Sequence, residues 1–314
     1  MPQALTADPA LTANAEFTDR LARCLADARN DNPTPAELFA GVSDAFWLWA
    51  NTEGYRESSR LQEILPGLPD ETTQANFTGK SGDATLQDGF RIYSLVKHVV
   101  EAEYKKLADC ERILDFGCGW GRIIRFFLRD LAPERICGID CMPEAIQLCT
   151  SRNRWCQFQQ VPTMPPTNLK AGSFDLVYAY SVFSHLSERA HRAWMDEFHR
   201  VLKPGGLVVL TTRDRGFIEY CASLRRSTDK LAAFATGAVA SFRNSEQYLA
   251  AYDRGEFCHH PTGGGGVLAD SFYGETCIPK QYVEKHWADR FKLVDFIDDR
   301  ARCEQNVIVA RKVD

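Results

Sequence analysis

The sequence predicts an α/β fold in which a parallel sheet carries helices on both faces. Three observations predict it. Short apolar stretches alternate with helical ones between residues 112 and 212, the pattern of a sheet built from strand–helix–strand units. A glycine-rich turn, Asp115-Phe116-Gly117-Cys118-Gly119-Trp120-Gly121, follows the first strand. An acid, Asp140, closes the second strand 25 residues after Asp115.

Residues 1–108 read as mostly helical. Thr34-Pro35-Ala36-Glu37 is a capping box with proline at the first helical position, which predicts a helix to about residue 49. Pro66, Gly67 and Pro69 interrupt the chain, and 86–107 is amphipathic, with Phe90, Leu95, Val99 and Tyr104 near helical spacing. Strands are predicted at 112–116, 136–139, 156–161, 174–180 and 206–212. Helices are predicted at 121–131, 143–152 and 188–201. Residues 214–285 interrupt the alternation, helical over 217–240 and ending in a loop with Gly263-Gly264-Gly265-Gly266. Two last strands fit 291–297 and 306–310. The expected organisation is a helical N-terminal cap (1–108) and an α/β domain (109–314) with an insertion at about 214–285.

Composition narrows the function classes. The chain has 314 residues, a formal charge of -5 and a pI near 5.9, so no broad phosphate-binding surface and no nucleic-acid partner are expected. No run reaches the roughly 18 apolar residues of a membrane span, and residues 1–15 lack the features of a secretory signal. The 11 cysteines are odd in number and scattered through apolar segments, as expected of reduced thiols in a cytoplasmic protein. Cys258, His259 and Cys277 lack a paired Cys-x-x-Cys, and no metal site is expected. Gly79-Lys80-Ser81 is no phosphate loop, because position 74 is Gln where that motif needs glycine.

Glycines in the 117–121 turn permit close approach of a ligand to the backbone, and an acid at the position of Asp140 can accept from both hydroxyls of a ribose. Three further features discriminate among nucleotide-type folds. The spacing is Gly-x-Gly-x-Gly preceded by an acid, Phe174-Asp175-Leu176-Val177 forms a later strand, and Arg200-Val201-Leu202-Lys203-Pro204-Gly205-Gly206 leads into the fifth. Together they resemble the class I S-adenosylmethionine-dependent methyltransferases over about residues 110–213.

The resemblance implies a Rossmann-like seven-stranded sheet with the last strand antiparallel, and S-adenosyl-L-methionine as cofactor, leaving as S-adenosyl-L-homocysteine. It implies that Gly117, Gly119 and Gly121, with Cys118, lie along the methionine portion and that Asp115 orders its amino group. Asp140 would hold the ribose, and Met142, with Cys141, would pack at the adenine. Tyr178 and Ser181 would border the sulfonium and the acceptor. Where many members carry an acid after the third strand, this chain reads Gln159-Gln160-Val161, which leaves Gln160 or a backbone carbonyl for the adenine amino group.

Methyl transfer needs alignment and desolvation more than activation. His185, after the fourth strand, is the candidate base because histidine ordinarily titrates near neutral pH; Tyr180 beside it is the second candidate catalytic residue. His259, His260 and Tyr273 in the insertion are candidate substrate contacts, and Phe77, Lys80 and Tyr93 could reach the cleft from the cap. The absence of Asn/Asp-Pro-Pro-Tyr/Phe after the fourth strand, of paired glutamates and of a magnesium-binding carboxylate trio points to a small-molecule acceptor, a metabolite or sugar. A macromolecular acceptor and a non-catalytic cofactor-binding subunit are the alternatives, and self-association is left open.

Overall fold

The structure, a computed structural model, describes residues 9–26, 33–226 and 233–314. Nine strands are found among them: β1 (Ile113–Phe116), β2 (Ile136–Asp140), β3 (Gln157–Gln160), β4 (Phe174–Ala179), β5 (Leu202–Thr212), β6 (Cys258–Pro261), β7 (Gly274–Cys277), β8 (Phe291–Ile297) and β9 (Asn306–Lys312). Seven form one sheet in the order β3-β2-β1-β4-β5-β9-β8. The first five run parallel, and β9 is antiparallel to both neighbours. This is the Rossmann-like arrangement expected, with the strand order reversing beside β1, where open α/β sheets place their ligands.

Side chains alternate between the two sheet faces, and each face builds its own core. Ile113, Ile136, Leu176, Tyr178, Leu207 and Val309 pack against Phe46, Trp47, Leu86 and Val96 of the N-terminal helices. Leu114, Phe116, Val177, Val208 and Ile308 pack against Trp194 and Phe198 of the Glu188–Val201 helix. A third, smaller cluster (Phe217, Ile218, Cys221, Phe242, Cys258 and Cys277) holds the insertion together.

Several elements depart from the sequence expectation for physical reasons. The capping box at Thr34 is formed, but its helix stops at Phe39. Gly41 at φ +71° turns the chain, and Ser43 caps a new helix, Asp44–Asn51. The predicted helix at 121–131 is largely a 3-10 segment, Ile124–Arg129. Here tertiary hydrogen bonds outweigh local propensity. Trp47 Nε1 donates to the Phe126 carbonyl (3.0 Å), Arg125 Nε to Asn51 Oδ1 (2.9 Å) and Arg129 Nη2 to the Tyr93 hydroxyl (2.6 Å). The predicted helix at 217–240 appears as Arg215–Leu224 and Ala233–Ala240, and residues 227–232 lie outside the described residues. The β6–β7 hairpin is unpredicted; its segments, Cys-His-His-Pro and Gly-Glu-Thr-Cys, lack an apolar alternation.

At the amino end of the sheet, the fully buried Asp175 fastens three segments. It accepts from Lys105 Nζ (2.8 Å), Lys203 Nζ (3.1 Å) and the amides of Glu111 (2.8 Å) and Arg112 (3.2 Å). Those donors hold its carboxyl below the usual carboxylate range against the opposing effect of burial. Removing one partner of a buried charge cluster strands the others and costs about 3–5 kcal/mol. Asp175→Ala is expected to lower the urea unfolding free energy by about 3 kcal/mol with the denaturant slope unchanged, and an unchanged midpoint would refute this role.

Candidate active site

Between β1 and the 3-10 segment, Gly117, Gly119 and Gly121 adopt φ of +73°, +53° and +83°, values that side-chain-bearing residues rarely hold. The Gly117 and Cys118 amides both donate to the Ile139 carbonyl (2.8 and 3.1 Å), which pins the turn to β2. A β-carbon on Gly117 would lie 2.4 Å from Val182 Cγ2, and one on Gly119 would touch the Phe77 ring at 3.6 Å. The turn is therefore roofed by the cap through Phe77 and flanked by the segment after β4.

Two carboxylates border it. Asp140 is held from within: Gly119 N–H donates to Oδ2 (3.0 Å) and Met142 N–H to Oδ1 (2.9 Å). Each oxygen keeps a second lone pair, enough for two hydroxyls of a ribose. Asp115 is buried at the foot of the turn; the Tyr178 hydroxyl lies near it, but Oδ2 completes no well-formed hydrogen bond among the described residues. Burial, together with the nearby Asp140 charge, pushes its carboxyl up to about 7. A buried acceptor without a donor is costly, and an ammonium group placed there would both satisfy it and return it to the ionised state.

Arg122, directly after the turn, supplies the opposite charge. Its guanidinium is mostly buried, lies 5.6 Å over the Tyr180 ring and makes only long contacts with Thr85 (3.4 and 3.5 Å). Burial lowers its pKa, and Asp115 lies within its electrostatic reach. The sequence reading passed over Arg122, although its place after the last glycine of the motif was a usable signal.

Other expected residues are distributed differently. Gln160, at the end of β3, is exposed with its amide 3.5 Å from the Cys141 carbonyl. Tyr178 does not follow β4 but sits within it, opposite Asp115. Its position on the alternating strand turns it to the cap side, where it is buried and stacked on Phe127 at 5.0 Å. It therefore backs the Asp115 end of the turn. Ser181 is the strained residue of the region, at φ +58°, with its amide bonded to Thr211 Oγ1 (2.8 Å) and its hydroxyl accepting from Gln305 Nε2 (3.0 Å). Tyr93 is wholly buried against Arg129 and Asp130 and does not reach the cleft. Lys80 pairs with Asp88 (2.6 Å) and approaches Glu304 (3.6 Å), tying the cap to the segment before β9.

On the other side of the post-β4 segment, the insertion docks by backbone pairing. Gly274 N–H donates to the His185 carbonyl (2.7 Å) and Thr276 N–H to that of Ser184 (2.8 Å). His185 Nδ1 donates to the Gly274 carbonyl (2.8 Å), and its ring stacks on Tyr273 (4.9 Å, 7° between planes). The neutral ring therefore carries its lone pair at Nε2. Burial, with the Arg213 charge nearby, pushes the His185 imidazole down to about 3. Burial thus works against a base titrating near neutral pH and favours a ring that accepts a hydrogen bond at Nε2. His259 is likewise bonded through Nδ1 to Thr276 Oγ1 (2.8 Å). His260 lies apart, against Phe242 and Tyr248. Arg213 and Glu275, both missed in the sequence, form an ion pair at 2.6 Å beside His185.

Two outcomes follow from this geometry. Gly117→Ala is expected to weaken binding at the turn at least about 10-fold, since it meets Val182 and a disfavoured φ together; calorimetry with S-adenosylhomocysteine checks it, and wild-type affinity in the folded variant would refute it. His185 and the core residue His191 both sit near 3 because they are buried. As pH falls below about 6.5, the unfolded chain protonates these groups first, so stability is lost progressively down to about pH 3. The urea unfolding free energy is expected to fall between pH 7 and 5 by on the order of 2 kcal/mol per histidine; constancy over that range would refute the assignment.

Comparison with known proteins agrees with this fold. Residues 113–206 match the family model described as a methyltransferase domain. The tRNA(Thr) (cytosine(32)-N(3))-methyltransferase of Saccharomyces cerevisiae is 30% identical over 129 residues, covering 38% of this chain and 20% of that protein. The malonyl-[acyl-carrier protein] O-methyltransferase of Hahella chejuensis is 29% identical over 101 residues, 32% of this chain and 36% of that protein. The chain thus spans about a fifth of the length of the first of these relatives and about a third of the second. A solved S-adenosylmethionine-dependent methyltransferase of Mesorhizobium loti aligns with a TM-score of 0.43 and 16% identity, covering 68% of this chain and 96% of that one. No helix among the described residues is long and apolar enough to cross a membrane. With the motif, the sheet order and the matched domain in agreement, residues 113–206 carry a methyltransferase domain on a Rossmann-like sheet.

Proposed function

We propose that the chain binds S-adenosylmethionine at the 115–121 turn and transfers its methyl group to an oxygen, nitrogen or sulfur atom of a small metabolite or sugar. The observation that carries the cofactor assignment is the buried Oδ2 of Asp115, without a well-formed hydrogen bond, beneath three left-handed glycines. Asp115 and Arg122 offer one negative and one positive group to the ammonium and carboxylate of the amino-acid end. Asp140 offers its two outward lone pairs to the ribose. Met142, Cys141 and Gln160 stand where the adenine would extend along β2 and β3. The bound cofactor would supply a methyl carbon on an excellent leaving group, so the protein's remaining work is to orient and desolvate the acceptor. His185 Nε2 and Tyr180 are the candidates for that work, His185 as an orienting acceptor of a hydrogen bond. Tyr273 stacks against it and helps fix its plane.

A macromolecular acceptor is the second reading, favoured by the names of the two relatives, one acting on tRNA and the other on an acyl-carrier protein. Incubation with methyl-labelled S-adenosylmethionine and a cell extract, fractionated by size, separates the two readings. Label in small soluble compounds supports the first, and label in RNA or protein supports the second.

The cofactor geometry is tested by calorimetry with two ligands. Asp140→Ala is expected to weaken both S-adenosylhomocysteine and 5′-methylthioadenosine by about 50-fold or more, two charge-assisted bonds being lost. Asp115→Asn and Arg122→Leu are expected to weaken only the former, by about 10-fold or more, because 5′-methylthioadenosine lacks the amino-acid end. Unaltered binding in Asp140→Ala would sink the assignment.

A further inference from the structure

The carboxyl ends of β4 and β5 and the adjoining insertion hold a second set of buried polar atoms without hydrogen bonds among the described residues: Gln305 Oε1, Asn306 Nδ2 and His259 Nε2, with Arg213 Nε and Glu275 Oε2, which meet as an ion pair. Each such atom costs about 1–3 kcal/mol when left unpaired, so a group of them at one end of a sheet marks a place that a ligand completes. Their orientation is fixed by what their other ends do. Gln305 gives its Nε2 to Ser181 Oγ (3.0 Å), which leaves its carbonyl oxygen as the free end. Asn306 opens β9 directly opposite Thr212, the last residue of β5. His259 Nδ1 donates to Thr276 Oγ1, whose own proton goes to the Leu186 carbonyl (2.8 Å each), so the lone pair of the neutral ring lies at Nε2. His185 presents the same tautomer one residue before Leu186.

The charges at this end cancel. Arg213 is paired with Glu275 at 2.6 Å, both largely buried, and Asp214 with Arg300 at 2.5 Å. A carboxylate ligand would have to take Arg213 from Glu275, and an ammonium ligand would have to take Glu275 from Arg213. Either leaves a largely buried charge unpaired, which costs several kcal/mol.

We propose that this end of the sheet is the acceptor site and that it takes an uncharged, polyhydroxylated molecule, methylated on oxygen. The inference rests on the methyltransferase reading and narrows its acceptor class. A hydroxyl donates and accepts at once, so a polyol satisfies the lone pairs of Gln305 and His259 and the N–H of Asn306 without a net charge. In the transfer, the acceptor oxygen forms its bond to the methyl carbon as the carbon–sulfur bond of the sulfonium donor breaks to a thioether. The hydroxyl, held in line by its hydrogen bond to His185 Nε2, gives its proton to water as the new bond forms.

The test uses the full chain with methyl-labelled S-adenosylmethionine and matched probes: methyl α-glucopyranoside and inositol, against glucosamine and glucuronate. Binding of S-adenosylhomocysteine is measured alongside. The expected result is label in the uncharged polyols as an alkali-stable ether, at least about 10-fold above the charged probes. Gln305→Leu and His259→Phe are each expected to lower kcat/KM for the polyol about 10-fold while S-adenosylhomocysteine affinity stays at the wild-type value, as removal of a substrate hydrogen bond requires. Preferential labelling of glucosamine or glucuronate overturns the inference and leaves the methyltransferase reading standing. So does intact S-adenosylhomocysteine binding with no polyol labelled. Failure to bind S-adenosylhomocysteine overturns the reading itself.

Discussion

The pinning of the 117–118 amides to the Ile139 carbonyl is the constraint on which the rest of the site depends. It forces the chain to reverse within a few residues of β1, which only left-handed glycines accommodate at low cost. That reversal leaves Asp115 at the bottom of a narrow turn, brings the Gly119 amide onto Asp140 and presents the turn's upper surface to Phe77 of the cap. Burial and the Asp140 charge both oppose ionisation of Asp115, so the foot of the turn favours a cationic ligand. Arg122, on the next residue of the chain, keeps that preference local to one end.

Much of this was legible in the sequence because each signal was short-range. An apolar strand, a glycine turn and a strand-ending acid are contiguous patterns, and they located β1, β2, Asp115 and Asp140 within a residue or so. The Glu188–Val201 helix was equally plain, since its apolar stripe repeats at the helical period and Ser187 caps it. Local rules failed where distant contacts decide conformation. Residues 121–131 have good helical propensity, yet cap residues take their carbonyls and guanidinium groups into tertiary bonds.

The acceptor side was illegible for a different reason. Arg213, Glu275 and Gln305 come from three segments that meet only after the sheet has closed, and nothing in their sequence surroundings distinguishes them from solvated polar residues. The burial of His185, which pushes its imidazole down, comes from the insertion, Tyr273 above all, and is not written in its own neighbourhood. The parity of β4 likewise could not be read without its boundaries, and so the burial of Tyr178 on the cap face was not foreseen.

The insertion carries its own small core, built from Phe217, Ile218, Cys221, Phe242, Cys258 and Cys277. It joins the post-β4 segment chiefly through main-chain bonds at Ser184, His185 and Ser187. Most backbone joints tolerate a change of side chain, Gly274 excepted, where a β-carbon would meet the His260 carbonyl, so the two parts of the molecule have room to diverge at different rates. Lineages descended from this chain can exchange residues within the insertion, and with them the molecules admitted, while the nucleotide-facing turn stays frozen by its glycines. The architecture separates what evolution can vary from what it must keep.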